Sequence, residues 1–253
     1  MQPDKICVSG VEIDPIGKET LLTKMTDYAS NGTPALVNYV NVHGMNLAHA
    51  DASFREALNS SDIVFCDGFG VKLGARILGY RLGERLTPPD WIDLLFERCA
   101  AAGHSVYFVG DTQEVVELFV TAVQGRHPEI EVAGHHHGFF ELDGAEAKSL
   151  MSDLRAKRPA FVVTGMGMPR QETWAREAKC ELDHGVYLAT GALFRYYSGY
   201  ERRAPRWMTD HGLEWLARLV ASPRKLWHRY FVGNPRFLLR MIGLRLRGLG
   251  ARR

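Results

Sequence analysis

Cysteine is scarce in this chain: four in 253 residues, at Cys7, Cys66, Cys99 and Cys180, with no Cys-x-x-Cys spacing. A dense disulfide framework and a zinc knuckle are therefore excluded, and a reducing compartment fits. No run of 18 apolar residues occurs, so no spanning helix is expected. Met1 to Lys5 run straight into a short mixed segment, which does not read as a secretory leader. Several ligand signatures are missing too. There is no Gly-x-x-x-x-Gly-Lys-Ser/Thr, so a P-loop is unsupported. Gly165-Met166-Gly167 comes late and lacks the third glycine of a dinucleotide fingerprint. No Asp-x-Asp offers paired carboxylates to a divalent ion on a diphosphate. The run His135-His136-His137 does not read as a metal cluster either, because neighbours on a strand point to opposite faces. No metal site and no cofactor are expected.

Charge is present but unevenly distributed. The net charge of +2 hides 14 Lys/Arg against 3 Asp/Glu from Arg195 to Arg253, a net of +11. The first 194 residues carry 17 basic and 26 acidic residues, a net of −9. A basic tail on an acidic body calls for an anionic partner or a membrane surface.

Short β-branched runs alternate with helical patterns along the body. Strands are expected at Ala35–Val42, Asp62–Cys66, Ser105–Val109, Glu129–Ala133, Ala160–Thr164 and Val186–Thr190. Helices are expected at His49–Asn59, after Gly68, and at Glu114–His127, Gly144–Lys157 and Gln171–Leu182. Strand and helix in turn imply an α/β fold: a doubly wound, mostly parallel, Rossmann-like sheet with a basic helical C-terminal appendage. The alternation fades near Gly199, which divides the chain into a Rossmann-like catalytic domain at 1–198 and an appendage at 199–253.

In open α/β sheets ligands bind beyond the carboxyl ends of the strands. Those ends carry Asn41-Val42-His43, Asp67-Gly68-Phe69-Gly70, Gly110-Asp111-Thr112, Gly165-Met166-Gly167-Met168-Pro169-Arg170-Gln171-Glu172 and Gly191-Ala192-Leu193-Phe194. Gly68, Gly110, Gly165, Gly167 and Gly191 would let backbone amides approach a diphosphate; the plainer alternative is that they only shape βα corners. Asp67 follows four apolar residues and precedes Gly-Phe-Gly. That suits a partly desolvated general base and equally a helix N-cap. Asn41 and His43 could bond a sugar or diphosphate, or only local backbone. Arg85, Arg170 and the tail arginines are available to neutralise a departing diphosphate.

Wound at 100° per residue, the segment from Arg236 to Leu249 gathers Arg236, Arg240 and Arg247 within about 40°. Apolar residues fill the other side, and Arg245 lands among them, needing to snorkel or find an anion. Beyond residue 215 there are ten Lys/Arg and no acid. Each basic residue near an anionic leaflet contributes roughly 1 kcal/mol. The segment reads as an interfacial device. Alternatives are packing on the protein's own core or on a sister subunit, and the binding of single-stranded nucleic acid, which the reading sets aside.

Taken together these motifs resemble the WecG/TagA/CpsF family of bacterial glycosyltransferases. The strand-end blocks other than Gly110-Asp111-Thr112 carry the likeness, joined by Glu84-Arg85, Arg203-Ala204-Pro205, Glu214-Trp215-Leu216, Pro223-Arg224-Lys225-Leu226-Trp227, Arg229-Tyr230 and Gly233-Asn234-Pro235-Arg236-Phe237. The resemblance implies an inverting, metal-independent transfer from a UDP-sugar to a polyprenyl-diphosphate-linked saccharide. It places Asp67 as general base and Gln171 as a polar active-site residue. It also implies that the appendage docks on the inner face of the cell membrane and brings Arg224, Arg229 and Arg236 near the nucleotide. Self-association is left open. The rival readings are a nicotinamide-dependent oxidoreductase, which lacks its glycine fingerprint here, and a non-enzymatic membrane- or nucleic-acid-binding adaptor, which leaves the polar strand ends unexplained.

Overall fold

A computed structural model describes residues 5–248. A hairpin opens the described chain: β1 (Ile6–Val8) pairs antiparallel with β2 (Val11–Ile13). Its two-residue turn has Ser9 and Gly10 both at positive φ, the geometry that matches strand twist. There follow α1 (Lys18–Ser30), β3 (Ala35–Val40), α2 (Val42–Ala50), α3 (Ala52–Asn59), β4 (Ile63–Cys66), α4 (Phe69–Ile77) and α5 (Ile92–Ala102). Next come β5 (Val106–Gly110), α6 (Gln113–Arg126), β6 (Val132–His136), α7 (Ala145–Lys157), β7 (Phe161–Gly165), α8 (Arg170–Glu181), β8 (Val186–Ala189) and α9 (Leu193–Tyr197). The appendage holds α10 (Arg206–Asp210), α11 (Glu214–Ala221), α12 (Pro223–Trp227), a π-helical stretch at His228–Gly233 and α13 (Asn234–Leu246).

Six strands form one parallel sheet in the order β4-β3-β8-β7-β5-β6. Strands β3, β4, β5, β7 and β8 are buried throughout, as sheets covered on both faces require. Side chains of α1, α5 and α6 pack on one face with Phe65, Phe108 and Phe161. On the other face, α2, α3 and α4 form one cluster and α7 and α8 another. The crossover from β3 to β4 thus runs over one face and that from β5 to β6 over the other. A crevice opens where the winding reverses, above the C-terminal ends of the central strands.

The six sheet strands and the doubly wound plan follow the sequence pattern; several boundaries do not. The expected helix His49–Asn59 is two helices, because Asp51 caps α3 by accepting from Ser53 N at 2.8 Å and Phe54 N at 3.2 Å. The fourth strand lies at Val132–His136, after a turn closed by Ile130 N to His127 O at 3.1 Å. The first hairpin, α1 and α5 went unread. Their apolar residues sit in irregular pairs such as Leu21-Leu22, which neither period marks clearly.

Helix α13 does not float free. Phe237 and Met241 are fully buried in the cluster built by α2, α3 and α4. Gly74 of α4 makes room: a Cβ there would lie 2.5 Å from the Phe237 ring. Arg245, expected among apolar residues, is exposed, and its guanidinium reaches the carbonyl of Leu78 at the end of α4. The outer side of the appendage keeps Trp227 at 53%, Phe231 at 61% and Leu246 at 83% exposed. Residues Leu249 to Arg253, which end the basic tail, lie outside the described residues.

Candidate active site

Three adjoining cavities line the crevice. The first, about 150 Å³, lies between the β4–α4 turn and the appendage, with Asp67, Phe69, Trp215 and Tyr230 in its wall. The second, about 250 Å³, sits over the central strands, walled by Tyr39, Thr87, Gly167, Thr190 and Gly191. Asn41, His43, Asp67, Arg218 and Arg229 face both. The third, about 230 Å³, continues past Gly167 and Gly191 to Gly138, Gly165, Asp111 and Arg195.

Asp67 follows β4, with its backbone N–H bonded to Val40 O at 2.8 Å. The cap of α4 is Gly68, without a side-chain bond, so Asp67 is not spent as an N-cap. Its Oδ1 accepts from the Thr87 hydroxyl at 2.7 Å, and Thr87 in turn accepts from Arg85. Burial pushes the Asp67 carboxyl above the ordinary aspartate range. The Thr87 hydroxyl and the Arg218 guanidinium act against that rise, and the Glu214 carboxylate adds to it. No basic side chain forms an ion pair with it among the described residues.

The cations differ in what they are free to do. Arg85 is engaged by Thr87, by Asp90 at 2.9 Å and by Glu214 at 3.9 Å. Burial works against the charge of Arg218, but the adjacent Glu214 carboxylate holds its pKa above the ordinary arginine value. Arg229 is different. It is largely buried and lines the first and second cavities, and burial lowers its pKa. Among the described residues it has no carboxylate ion-pair partner. A buried guanidinium without a counter-ion costs several kcal/mol unless an anion arrives. His43 is pulled down to about 4 by burial and by Arg229, so it is a neutral imidazole there.

The other residues expected at the site are held by local contacts or lie away from the crevice. Asn41 faces the cavities, but its Oδ1 caps α2 by accepting from Gly44 N at 3.1 Å. Asp111 is clamped by the two-pronged guanidinium of Arg195 in the third cavity. Arg170 points back to the loop after β6, donating to the carbonyls of Gly138 and Phe140. Gly110 packs against the backbone of Gly165 within the sheet. Arg224 and Arg236 are exposed on the appendage and line none of these three cavities.

Gln171 is fully buried beneath the second cavity. Its Nε2 donates to Glu172 Oε1 at 2.8 Å, and its Oε1 accepts from Gly191 N at 3.2 Å. Gly191 has φ 60° and a Cβ there would collide with the Tyr39 hydroxyl, so the turn needs glycine on both counts. Its amide serves Gln171.

Away from the crevice, His136, His137 and Glu146 converge, with their ligand-type atoms within 4.8 Å of one another. The expectation that neighbouring histidines diverge does not hold here, because β6 ends at His136 and the chain turns. Phe139 N–H donates to His137 Nδ1 at 3.1 Å. That leaves the ring hydrogen on Nε2, which faces Glu146 at 2.9 Å.

The sequence profile described as "Glycosyl transferase WecG/TagA/CpsF family" matches residues 6–250. The chain belongs to this family. Among its relatives is the N-acetylglucosaminyldiphosphoundecaprenol N-acetyl-beta-D-mannosaminyltransferase of Staphylococcus aureus strain NCTC 8325 / PS 47. The two are 24% identical over 232 residues, covering 88% of this chain and 87% of the relative. The protein of the same name from strain MRSA252 is also 24% identical over 232 residues, with the same coverage.

In this WecG/TagA/CpsF glycosyltransferase the crevice brings together Asp67, Asn41, His43, Gly68, Arg85 and Arg229, all named from sequence. Sequence reasoning named Glu214 only as part of the family likeness, and missed Arg218, Thr87 and Tyr39 as individual site residues. One signal was readable: Glu214 and Arg218 stand four apart on one helix, the spacing of an ion pair. Thr87 and Tyr39 carried no such mark, because only folding sets them beside Asp67 and Gln171.

Proposed function

We propose that this glycosyltransferase moves an N-acetylhexosamine or related hexose from a UDP-sugar to a polyprenyl-diphosphate-linked saccharide, with inversion and without a metal ion. The carrying observation is that, across the first two cavities, the buried Asp67 carboxyl, free of any ion pair, faces the same space as Arg229, a largely buried guanidinium without a carboxylate partner among the described residues. A base and an anion receptor a short way apart are what in-line displacement of a nucleoside diphosphate requires. The relatives' printed name supports the acceptor, N-acetylglucosaminyldiphosphoundecaprenol, and a β-linked product. From an α-linked nucleotide sugar, a β product means inversion.

In this reading the acceptor hydroxyl gives its proton to Asp67 as its oxygen bonds to the anomeric carbon. The bond from that carbon to the diphosphate oxygen breaks with its electron pair. Arg229 and Arg218 take up the charge of the leaving UDP. Glu214 is engaged by Arg85, Arg203 and Arg218, so it is not free to hold a divalent ion beside Asp67. No helix among the described residues is long and apolar enough to cross a membrane. Exposed Arg224 and Arg236, beside outward Trp227, Phe231 and Leu246, suit an anionic leaflet, which would hold the enzyme on the cytoplasmic face near its lipid acceptor.

Incubating the protein with a panel of UDP-sugars, with and without a GlcNAc-diphosphoprenol acceptor, in the presence of a chelator, tests this. UDP release that depends on the acceptor is expected. UDP release indifferent to acceptor, or abolished by the chelator, overturns the reading.

A further inference from the structure

Glu172 is completely buried, and its Oε2 has no hydrogen-bond partner. No Lys, Arg or His forms an ion pair with it among the described residues. Buried carboxylates in that condition destabilise a fold, so packing alone gives no reason for one here. Its single side-chain contact of consequence is with Gln171, whose Nε2 donates to Oε1 at 2.8 Å.

A primary amide has two ends of almost equal size, so shape alone does not decide which way it points. The ends are opposite in hydrogen bonding. If the Gln171 amide were reversed, its NH₂ would face the N–H of Gly191, donor against donor. The Glu172 carboxyl presents Oε1 as an acceptor, whether ionised or carrying a proton on the unpartnered Oε2, which directs Nε2 of Gln171 to Glu172 and its Oε1 to Gly191, 3.2 Å away. We propose that Glu172 is a positioning residue: it fixes the orientation of the buried Gln171 amide and, through it, the backbone turn at Gly191 that walls both the second and third cavities. The consequence for substrate rests on the glycosyltransferase reading above, extended here so that the Gly191 turn walls the space taken by the nucleotide sugar. Glu172 itself touches no substrate. Its effect arrives through one amide and one peptide N–H.

The test uses the full-length protein and three variants, Glu172→Met, Glu172→Gln and Glu172→Asp. Amide hydrogen exchange at Gly191, followed by NMR without any substrate, reads the turn directly. Glu172→Met removes the acceptor, and exchange at Gly191 is expected to rise roughly tenfold, the worth of one hydrogen bond. UDP binding, measured by calorimetry, should weaken by a similar factor. Donor KM should rise likewise, while kcat at saturating donor stays within about threefold. The denaturation midpoint should hold or increase, because a buried charge has gone. Glu172→Gln keeps an acceptor in place and should restore most of the protection at Gly191.

Unchanged exchange at Gly191 in Glu172→Met overturns the proposal. So does a rise shared equally by the amides of the whole sheet, which would mark a merely structural loss. Should Glu172→Met not fold, Glu172→Asp, one methylene too short to reach Gln171, must show the same local rise or the proposal fails. If UDP does not bind even the unaltered protein, the donor reading falls, while the exchange measurements still decide the part played by Glu172.

Discussion

The sheet ends and the appendage face the same crevice and supply it with opposite things. The sheet contributes turns, a neutral imidazole and one carboxylate, all held by strands that are buried on both sides. The appendage contributes guanidinium groups on helices with few fully buried residues, tied to the body chiefly through Phe237 and Met241. Rigid parts carry Asp67, which in the proposed reaction must sit at a correct distance from the reacting hydroxyl. Charges that act over several ångströms tolerate the looser mount. The difference also divides the appendage itself: Arg218 and Arg229 turn inward, Arg224 and Arg236 outward.

The comparison breaks most visibly at Asp67. Asp67→Asn, folded by circular dichroism, should lose about 10²- to 10⁴-fold in turnover. In the unaltered enzyme kcat/KM should fall as pH drops through an apparent pKa above the ordinary aspartate value, because burial raises this carboxyl and only its ionised form accepts the proton. Phe237→Ala attacks the seam between the two regions and should cost about 3–5 kcal/mol in chemical denaturation. Loss of activity in parallel would show that the inward arginines depend on that seam.

Arg229→Ala should reduce turnover by about 10²- to 10³-fold, the usual effect of removing one group that stabilises a leaving anion. Glu172→Gln sharpens the picture of the sheet side through pH. The folded Glu172 carboxyl is raised by burial to about 7. Its favourable share of stability is therefore complete below the unfolded value, near 4.3, and is lost as pH rises through the folded one. Gln171 and Tyr39 are the groups around it, and both stay uncharged across that range. The stability of the unaltered protein relative to Glu172→Gln should fall by at most about 3 kcal/mol from pH 4 to pH 8, as read by denaturation at each pH. Smallest of all, Arg224→Glu with Arg236→Glu should change turnover on a soluble acceptor less than about threefold, yet sharply reduce sedimentation with anionic vesicles. A hundredfold loss in solution would erase the division between inward and outward arginines.

Much of this protein was legible because strand ends are local. An apolar run stopping at Cys66 and followed by Asp-Gly-Phe-Gly announces a carboxylate at the mouth of a sheet without any knowledge of the rest. The same holds for the alternation of strand and helix and for the reversal of charge near Gly199. Arg170 and Gln171 were placed in the right neighbourhood and given direct contact with ligand, but one clamps a loop and the other lies under the floor. Chemical type is written at each position; its partner is not.

What the sequence determined by itself was therefore the sheet, a carboxyl group at its mouth and the presence of a cationic tail, since periodicity, composition and strand ends are properties of neighbouring residues. Only the tertiary structure decided which cations share a cavity with Asp67, that Thr87 and Tyr39 line it too, and that α13 is sewn to α4. Those facts depend on segments far apart in the chain, and their meeting is set by how buried surfaces fit together rather than by any local pattern.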